Sequence, residues 1–326
     1  MSESSPSFVN AKMINYIIRR LLGAIPTWLL VGLVAFLIIH LTPGDPAAVM
    51  LGPEATHTGI EVLRERLGLN KPFLIQLRDW YLGILHGDLG YSFFLGRSVA
   101  AALWERLPVT FTLAVCAMLV AVFIGVPLGV IAALHPNKLQ DTIAMGISLL
   151  GLSVPEFVMG LALIYVFAVL LRWFPAGGYV SFTENFPRAL LHIAMPASSL
   201  GFIQAALIAR MTRAAMLEVL NADFIHTARA KGLPEATVIW RHAFRNAMLP
   251  IITVIGLAFT LLLGGAFITE VVFRIPGMGL LTISAVKRRD YPVVQGALLI
   301  LASFVLLMNL LVDLAYAYFD PRIQYD

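Results

Sequence analysis

Six apolar stretches, each long enough to cross a bilayer as a helix, leave this chain little choice of fold: residues 21–41, 109–134, 142–171, 189–209, 247–269 and 293–319. A helical crossing needs about 20 apolar residues. The strands of a membrane barrel would instead alternate in period two over about 10 residues. These runs are longer and uniformly apolar, and lipid leaves helix as the remaining way to satisfy the backbone. With 59% hydrophobic residues, 13% charged and a mean hydropathy of +0.85, the chain is an integral membrane protein. The expected fold is all-α, a polytopic membrane protein with six transmembrane helices.

Lys12, Arg19 and Arg20 precede the first run as they would in a secretory signal. The run is longer than a signal core and no small-residue cleavage site follows, so it is expected to stay as an anchor. Cys116 stands alone in the second run, which excludes an intrachain disulfide and a cysteine metal cluster and leaves it as inert packing. Histidines at 40, 57, 86, 135, 192, 226 and 242 are scattered and form no metal motif.

With the N-terminus inside, the inner segments carry Lys12, Arg19, Arg20, Lys138, Arg210, Arg213, Arg229, Lys231, Arg241, Arg245 and Arg322. The short outer loops carry Arg172, Arg188, Arg274, Lys287, Arg288 and Arg289, and the 42–108 segment is too long to count. Both termini are therefore expected to be cytoplasmic, although Lys287-Arg288-Arg289 runs against the rule. Net charge +4 and pI near 9.3 follow from the inner bias, so no nucleic-acid partner is expected.

The 42–108 segment reads as a folded outer insertion. Thr58 and Glu61 match a capping box, Ile60, Leu63 and Leu67 share a face, and Gly68 can end that helix. A second helix opens at Pro72, with Leu74, Leu77, Tyr81 and Leu85 on one stripe, before Gly87-Asp88-Leu89-Gly90 turns the chain. Two readings stay open: a cap lying on the membrane surface, and a docking surface and lateral wall for incoming solute.

The 210–248 loop holds a polar, small-residue helix over 223–233. Asn221 or Asp223 can cap it, Gly232 can close it in the left-handed conformation, and Pro234-Glu235 suit the first turn of the next helix. Ala228 and Ala230 keep it thin enough for a partner's backbone to approach; a plain surface helix is the alternative.

Here the chain resembles the inner-membrane permease subunits of ABC importers. The matching signature is Thr227-Ala228-Arg229-Ala230-Lys231-Gly232 followed by Leu249-Pro250, with the long Gly-to-Pro spacing of the dipeptide, oligopeptide, glutathione and nickel branch. His40-Leu41-Thr42-Pro43-Gly44-Asp45-Pro46, Gly87-Asp88-Leu89-Gly90, Arg210-Met211-Thr212-Arg213, Pro276-Gly277-Met278-Gly279, Arg289-Asp290-Tyr291-Pro292 and Asp320-Pro321-Arg322 also match, so the resemblance spans nearly the whole chain.

The resemblance implies a type I ABC importer permease fold in a bacterial inner (plasma) membrane. It gives a cytoplasmic tail over 1–13 and a single permease domain over 14–326, containing the periplasmic insertion and the coupling helix. It further implies a heterodimer with a second homologous permease subunit, two cytoplasmic ATPase subunits, a periplasmic or lipid-anchored solute-binding protein, and a peptide substrate. Nickel or glutathione import is the alternative within the family; a secondary carrier would need repeated halves and several intramembrane acids, which are not evident. No Gly-x-x-x-x-Gly-Lys-Ser/Thr loop occurs, so ATP and magnesium belong to the partner ATPases and no cofactor or enzymatic activity is expected of this chain.

The residues expected to couple to the ATPase are Asp223, Phe224, Thr227, Ala228, Arg229, Ala230, Lys231, Gly232 and Leu233, with Asp223 and Glu218 as counter-ions for Arg229 and Lys231. For the translocation path the candidates are Pro155, Glu156, Gln204, Pro276 and Gly277. Glu156 follows Pro155 inside the third run and either attracts a peptide's amino terminus or bonds a backbone group freed by the proline. Pro276-Gly277 reads as a gating turn or an ordinary one. Asn309 and Asp313, four apart, suit a polar helix contact. Glu270 and His192 are read as residues near membrane boundaries or on single helix faces.

Overall fold

The computed structural model describes residues 6–41, 43–52 and 55–319, and side chains from 19 to 312 within those ranges. Asp313 lies outside the described side chains, and Thr42 and 320–326 lie outside the described residues.

Among the described residues, five helices are long and apolar enough to span a membrane. They are α1 (Pro6–Leu41, spanning from Arg19), α5 (Val99–Leu134), α8 (Phe186–Leu220), the continuous stretch Glu235–Val272, and α13 (Tyr291–Phe319). Helix α1 already begins at Pro6, within the stretch expected as a tail. The third apolar run corrects the expectation of an uninterrupted crossing. It is broken into α6 (Leu139–Ser153) and α7 (Glu156–Leu163, continued as a π-helix to Leu170), bent by 102°. The cause is local: Pro155 lacks an N–H, and it holds Val154 in the extended region at ψ 122. Counted as one span, the pair makes the sixth.

The chain divides into two contact units, one built on Val109–Pro276 and continued from Leu307, the other on Ile18–Pro108 and Gly277–Leu306. In the first, α8 is the central helix and packs on α6, α7 and the helix that ends at Val272. It is the most buried of the spans, as a helix surrounded by others must be. Glycines set the closeness of α5 to α8. A methyl added at Gly125 would stand 2.6 Å from the Ala205 carbonyl oxygen, and at Gly129 2.5 Å from that of Ala209. The four-residue spacing of this glycine pair is the small-residue pattern that lets membrane helices meet backbone to backbone. Outward, Leu149, Phe123 and Trp173 are more than 60% exposed, the surface a bilayer covers.

The second unit holds the 42–108 insertion. Its helices are α2 (Pro46–Leu51), α3 (His57–Arg66) and α4 (Phe73–Leu85), followed by a two-residue hairpin pairing Tyr91 with Ser98 and Ser92 with Arg97. Ile39, Ala47, Met50, Leu63 and Tyr291 form its core. The cap of α3 is Thr56, whose hydroxyl accepts from the Gly59 N–H at 3.2 Å, and not the expected Thr58. Glu61 reaches Arg64 at 3.6 Å instead of closing a capping box. Gly68 takes φ +69, as expected of a helix stop. The stripe expected on α4 is half right: Leu77 and Tyr81 turn inward, the Tyr81 hydroxyl donating to the Leu29 carbonyl at 2.5 Å, whereas Leu74 and Leu85 at its two ends are exposed and Gln76 and Trp80 take the inner positions instead.

Candidate functional site

Helix α8 does not stop at Arg210, where the apolar run ends, but continues to Leu220 with Asn221 as its C-cap. The loop proper is correspondingly shorter. It contains α9 (Asp223–Ala230) and then α10 (Glu235–Thr237), a π-helical segment (Val238–Phe244) and α11 (Arg245–Val272), which together form the stretch that enters the next span. The cap position of α9 is Ala222, without a side-chain bond; Asp223 instead occupies the first turn, where the helix dipole favours a carboxylate. Gly232 closes the helix at φ +74, donating to the Arg229 carbonyl at 2.9 Å. Pro234 then caps α10 and Glu235 stands in its first turn.

Helix α9 has two unequal faces. Ile225 at 0% and Ala228 at 7% exposure are packed with Met216, Leu220, Val238 and Ala247. Ala228 is thus an anchor, not part of a partner-facing surface, because its position puts it on the stripe of Ile225. The exposed residues are Asp223, Phe224, His226, Thr227, Arg229, Ala230, Lys231, Gly232 and Leu233, with Phe224 at 45% and Leu233 at 38%. Arg229 pairs with Glu235, its Nη2 to Oε1 at 2.6 Å and Nε to Oε2 at 3.2 Å, and not with the expected Asp223 or Glu218. The turn at Gly232 brings that glutamate back, and its carboxylate holds the Arg229 guanidinium above its ordinary pKa. Both groups are exposed, so the pair contributes only about 0–1 kcal/mol.

A polar layer joins four helices of the first unit. Glu156 opens α7, in the electropositive first turn, and accepts a hydrogen bond from the Thr269 hydroxyl on α11. Its backbone carbonyl accepts from the Ser199 hydroxyl of α8 at 3.2 Å. The backbone bond expected for the Glu156 carboxylate is therefore replaced by a side-chain hydroxyl from another span. Next along α11, Glu270 is 0% exposed and accepts from the Thr110 hydroxyl of α5 at 2.5 Å. From the sequence Glu270 looks like a boundary residue; the signal that marks it is an acid closing an apolar run beside a threonine. Gln204, 9% exposed, is buried along α8. Pro276 and Gly277 form the turn into α12 (Met278–Arg288), which Gly277 caps, and Asn309 is exposed on α13. His192, half-buried, faces the Gly177 carbonyl at 3.2 Å.

A second charged contact was not foreseen. Arg213 donates from Nε and Nη2 to the two carboxylate oxygens of Asp141 at 2.6 and 2.7 Å, and Asp141 also accepts from the Asn137 N–H at 2.9 Å. It ties α6 to α8 where Asn137 turns at φ +62. The arrangement offers no nucleophile with a paired base. It offers bonded spans and a presented helix.

Comparison with known proteins agrees. The model of the binding-protein-dependent transport system inner membrane component family matches residues 125–325, and that of its N-terminal region matches 13–114. A probable peptide ABC transporter permease of Sinorhizobium fredii is 44% identical over 95% of this chain and 99% of its own. A putative peptide transport system permease of Brucella abortus is 43% identical over 96% and 100%, and a glutathione transport system permease of Escherichia coli 42% over 96% and 100%. Among solved structures, an inward-facing form of the MetNI methionine ABC transporter superimposes with TM-score 0.54 at 16% identity, covering 67% of this chain and 96% of that one, a likeness of fold. The chain is a multi-pass membrane permease and belongs to the binding-protein-dependent transport system inner membrane component family.

Proposed function

We propose that this chain is one of two permease subunits in an inner-membrane importer for short peptides, driven by ATP that two cytoplasmic ATPase subunits bind and hydrolyse with magnesium. A solute-binding protein on the outer side delivers the peptide, and both termini of this chain are cytoplasmic. The observation that carries the reading is the two-faced α9. Its exposed Phe224, Thr227, Lys231 and Leu233 offer a partner a mixed apolar and basic surface, while Ile225 and Ala228 key it into the packing of α5, α8 and α11. A push on that face reaches three spans without passing through a flexible linker. Peptide as solute is supported by the names of the relatives from Sinorhizobium and Brucella. A second reading, glutathione, is supported by the Escherichia coli relative; glutathione is itself a tripeptide.

Gly232→Pro tests the coupling. Proline cannot adopt φ +74 and has no N–H to donate to Arg229, so α9 loses its closure. In proteoliposomes holding the full complex and binding protein, labelled-peptide uptake should fall at least about tenfold while ATP hydrolysis persists, the pattern of a broken mechanical link. Normal coupled uptake would remove α9 from the mechanism. Labelled glutathione and an alanyl tripeptide, compared in the same liposomes, decide the solute.

A further inference from the structure

The second unit encloses a cavity of about 460 Å³, a volume typical of small-molecule sites, which span roughly 300–1,000 Å³. Its floor is apolar and buried, with Phe36 at 4% and Ile39 at 6% exposure. The Trp80 ring stands 5.5 Å from Phe36, and Phe93 forms another wall. The polar groups of the wall are committed to each other. Gln76 donates its amide to the carbonyls of Leu69 at 3.2 Å and Lys71 at 2.7 Å, which turns its own oxygen to His40 Nε2 at 3.0 Å. Ring faces and rim charges remain for a ligand.

The rim carries both signs. Asp79 is held by Lys71 at 2.7 Å and Arg78 at 2.9 Å, so it is neutralised in place. Glu65 and Asp88 are exposed acids on the rim, and Arg66, also exposed, lies 5.9 Å from the Phe93 ring centre. With Asp79 and Lys71 paired to each other, an anion alone would meet the Glu65 and Asp88 carboxylates, and a cation alone would meet Arg66. A molecule bearing both charges a few atoms apart, with an apolar side chain for the rings, satisfies the whole lining.

We infer that this cavity binds a zwitterionic short peptide carrying an aromatic or aliphatic side chain, its amino terminus toward Glu65 and Asp88 and its carboxylate toward Arg66. The permease itself then holds solute in the second unit, on the 42–108 insertion and the end of α1 beneath it, using no residue of α9 or of the polar layer. The inference takes its solute class from the peptide-import reading.

The test is equilibrium dialysis of radiolabelled phenylalanyl-alanine against the permease and ATPase complex in nanodiscs without binding protein. Binding should saturate. It should weaken about tenfold when the peptide is acetylated and amidated, losing both charges, and by a similar factor in Trp80→Ala. Since Trp80→Ala removes packing, Glu65→Gln and Arg66→Gln supply exposed rim changes that leave the fold intact; each should weaken binding about threefold or more. Unsaturable binding, or equal binding of the blocked peptide, overturns the site. Proteoliposomes from the same preparation, given binding protein and ATP, separate the two readings. Uptake without saturable binding overturns the cavity site and leaves import standing; saturable binding without uptake does the reverse.

Discussion

The Thr269 hydroxyl donates a hydrogen bond to Glu156 on another span, while its neighbour Glu270 accepts one from Thr110. Removing only the donor leaves a carboxylate short of a partner at bilayer depth, whereas exchanging the carboxylate for an amide preserves an accepting oxygen. Thr269→Val should therefore lower stability by about 1–3 kcal/mol, read as the midpoint of thermal unfolding in detergent, and Glu156→Gln should leave that midpoint nearly unchanged. Peptide uptake by Glu156→Gln then isolates the charge, and an unchanged affinity and rate ends any role for it in the path. Asp290 gives a pH dependence. It is 2% exposed and accepts from the Ser92 hydroxyl. Burial pushes its pKa above the ordinary carboxylate value, against the opposing bonds from Ser92 and the Val293 N–H. A raised carboxylate pKa favours the folded state below the unfolded value of about 3.9. That stability is lost as pH rises from there through the raised native value. Asp290→Asn should flatten the loss across this window in a thermal-stability series; an unaltered pH profile would sink the assignment. The sequence showed Glu156 plainly, as a carboxylate inside an apolar run. It could not show Thr269 as its partner, because nothing in the chain between them marks which spans become neighbours.

Helices were the most legible level where local chemistry decides them. Gly232 and Gly68 take the left-handed stops expected of glycine after a helix, and Pro234 caps α10. Errors arose between near-equivalent local choices: Thr56 caps α3 instead of Thr58, and on α4 Leu74 and Leu85 are exposed while Gln76 and Trp80 turn inward beside the expected Tyr81. The break at Pro155 was read as one lost bond within a helix, but the following turn restarts as a new helix at 102°. At this scale the Gly125 and Gly129 pair on α5 makes a sharp prediction. A side chain at Gly129 would stand 2.5 Å from the Ala209 carbonyl oxygen and 2.6 Å from the Thr212 Cβ, groups that cannot swing aside. Gly129→Leu should destabilise by about 1–3 kcal/mol or more, and Leu119→Ala, at an exposed position on the same helix, by far less. Equal losses of unfolding temperature would mean that α5 and α8 do not rely on that contact.

For the molecule as a whole, the charge count along the sequence makes a claim about sidedness that the packing of helices does not address. It places α9 on the cytoplasmic side and the 42–108 insertion outside. The chain is well suited to asking, because Cys116 is its single cysteine and sits partly buried in α5. In a Cys116→Ala background, Glu61→Cys on α3 and Thr227→Cys on α9 put one thiol at an exposed position of each segment. A membrane-impermeant maleimide added to spheroplasts should label Glu61→Cys at once and Thr227→Cys only after the membrane is opened. The argument rests on the inner excess of Lys and Arg, a bias that orients spans during insertion, and Lys287-Arg288-Arg289 opposes it. If Thr227→Cys were labelled in sealed spheroplasts, the three opposing cations would have outweighed the rest. No cytoplasmic ATPase could then reach α9, and the coupling proposal would fall with the topology.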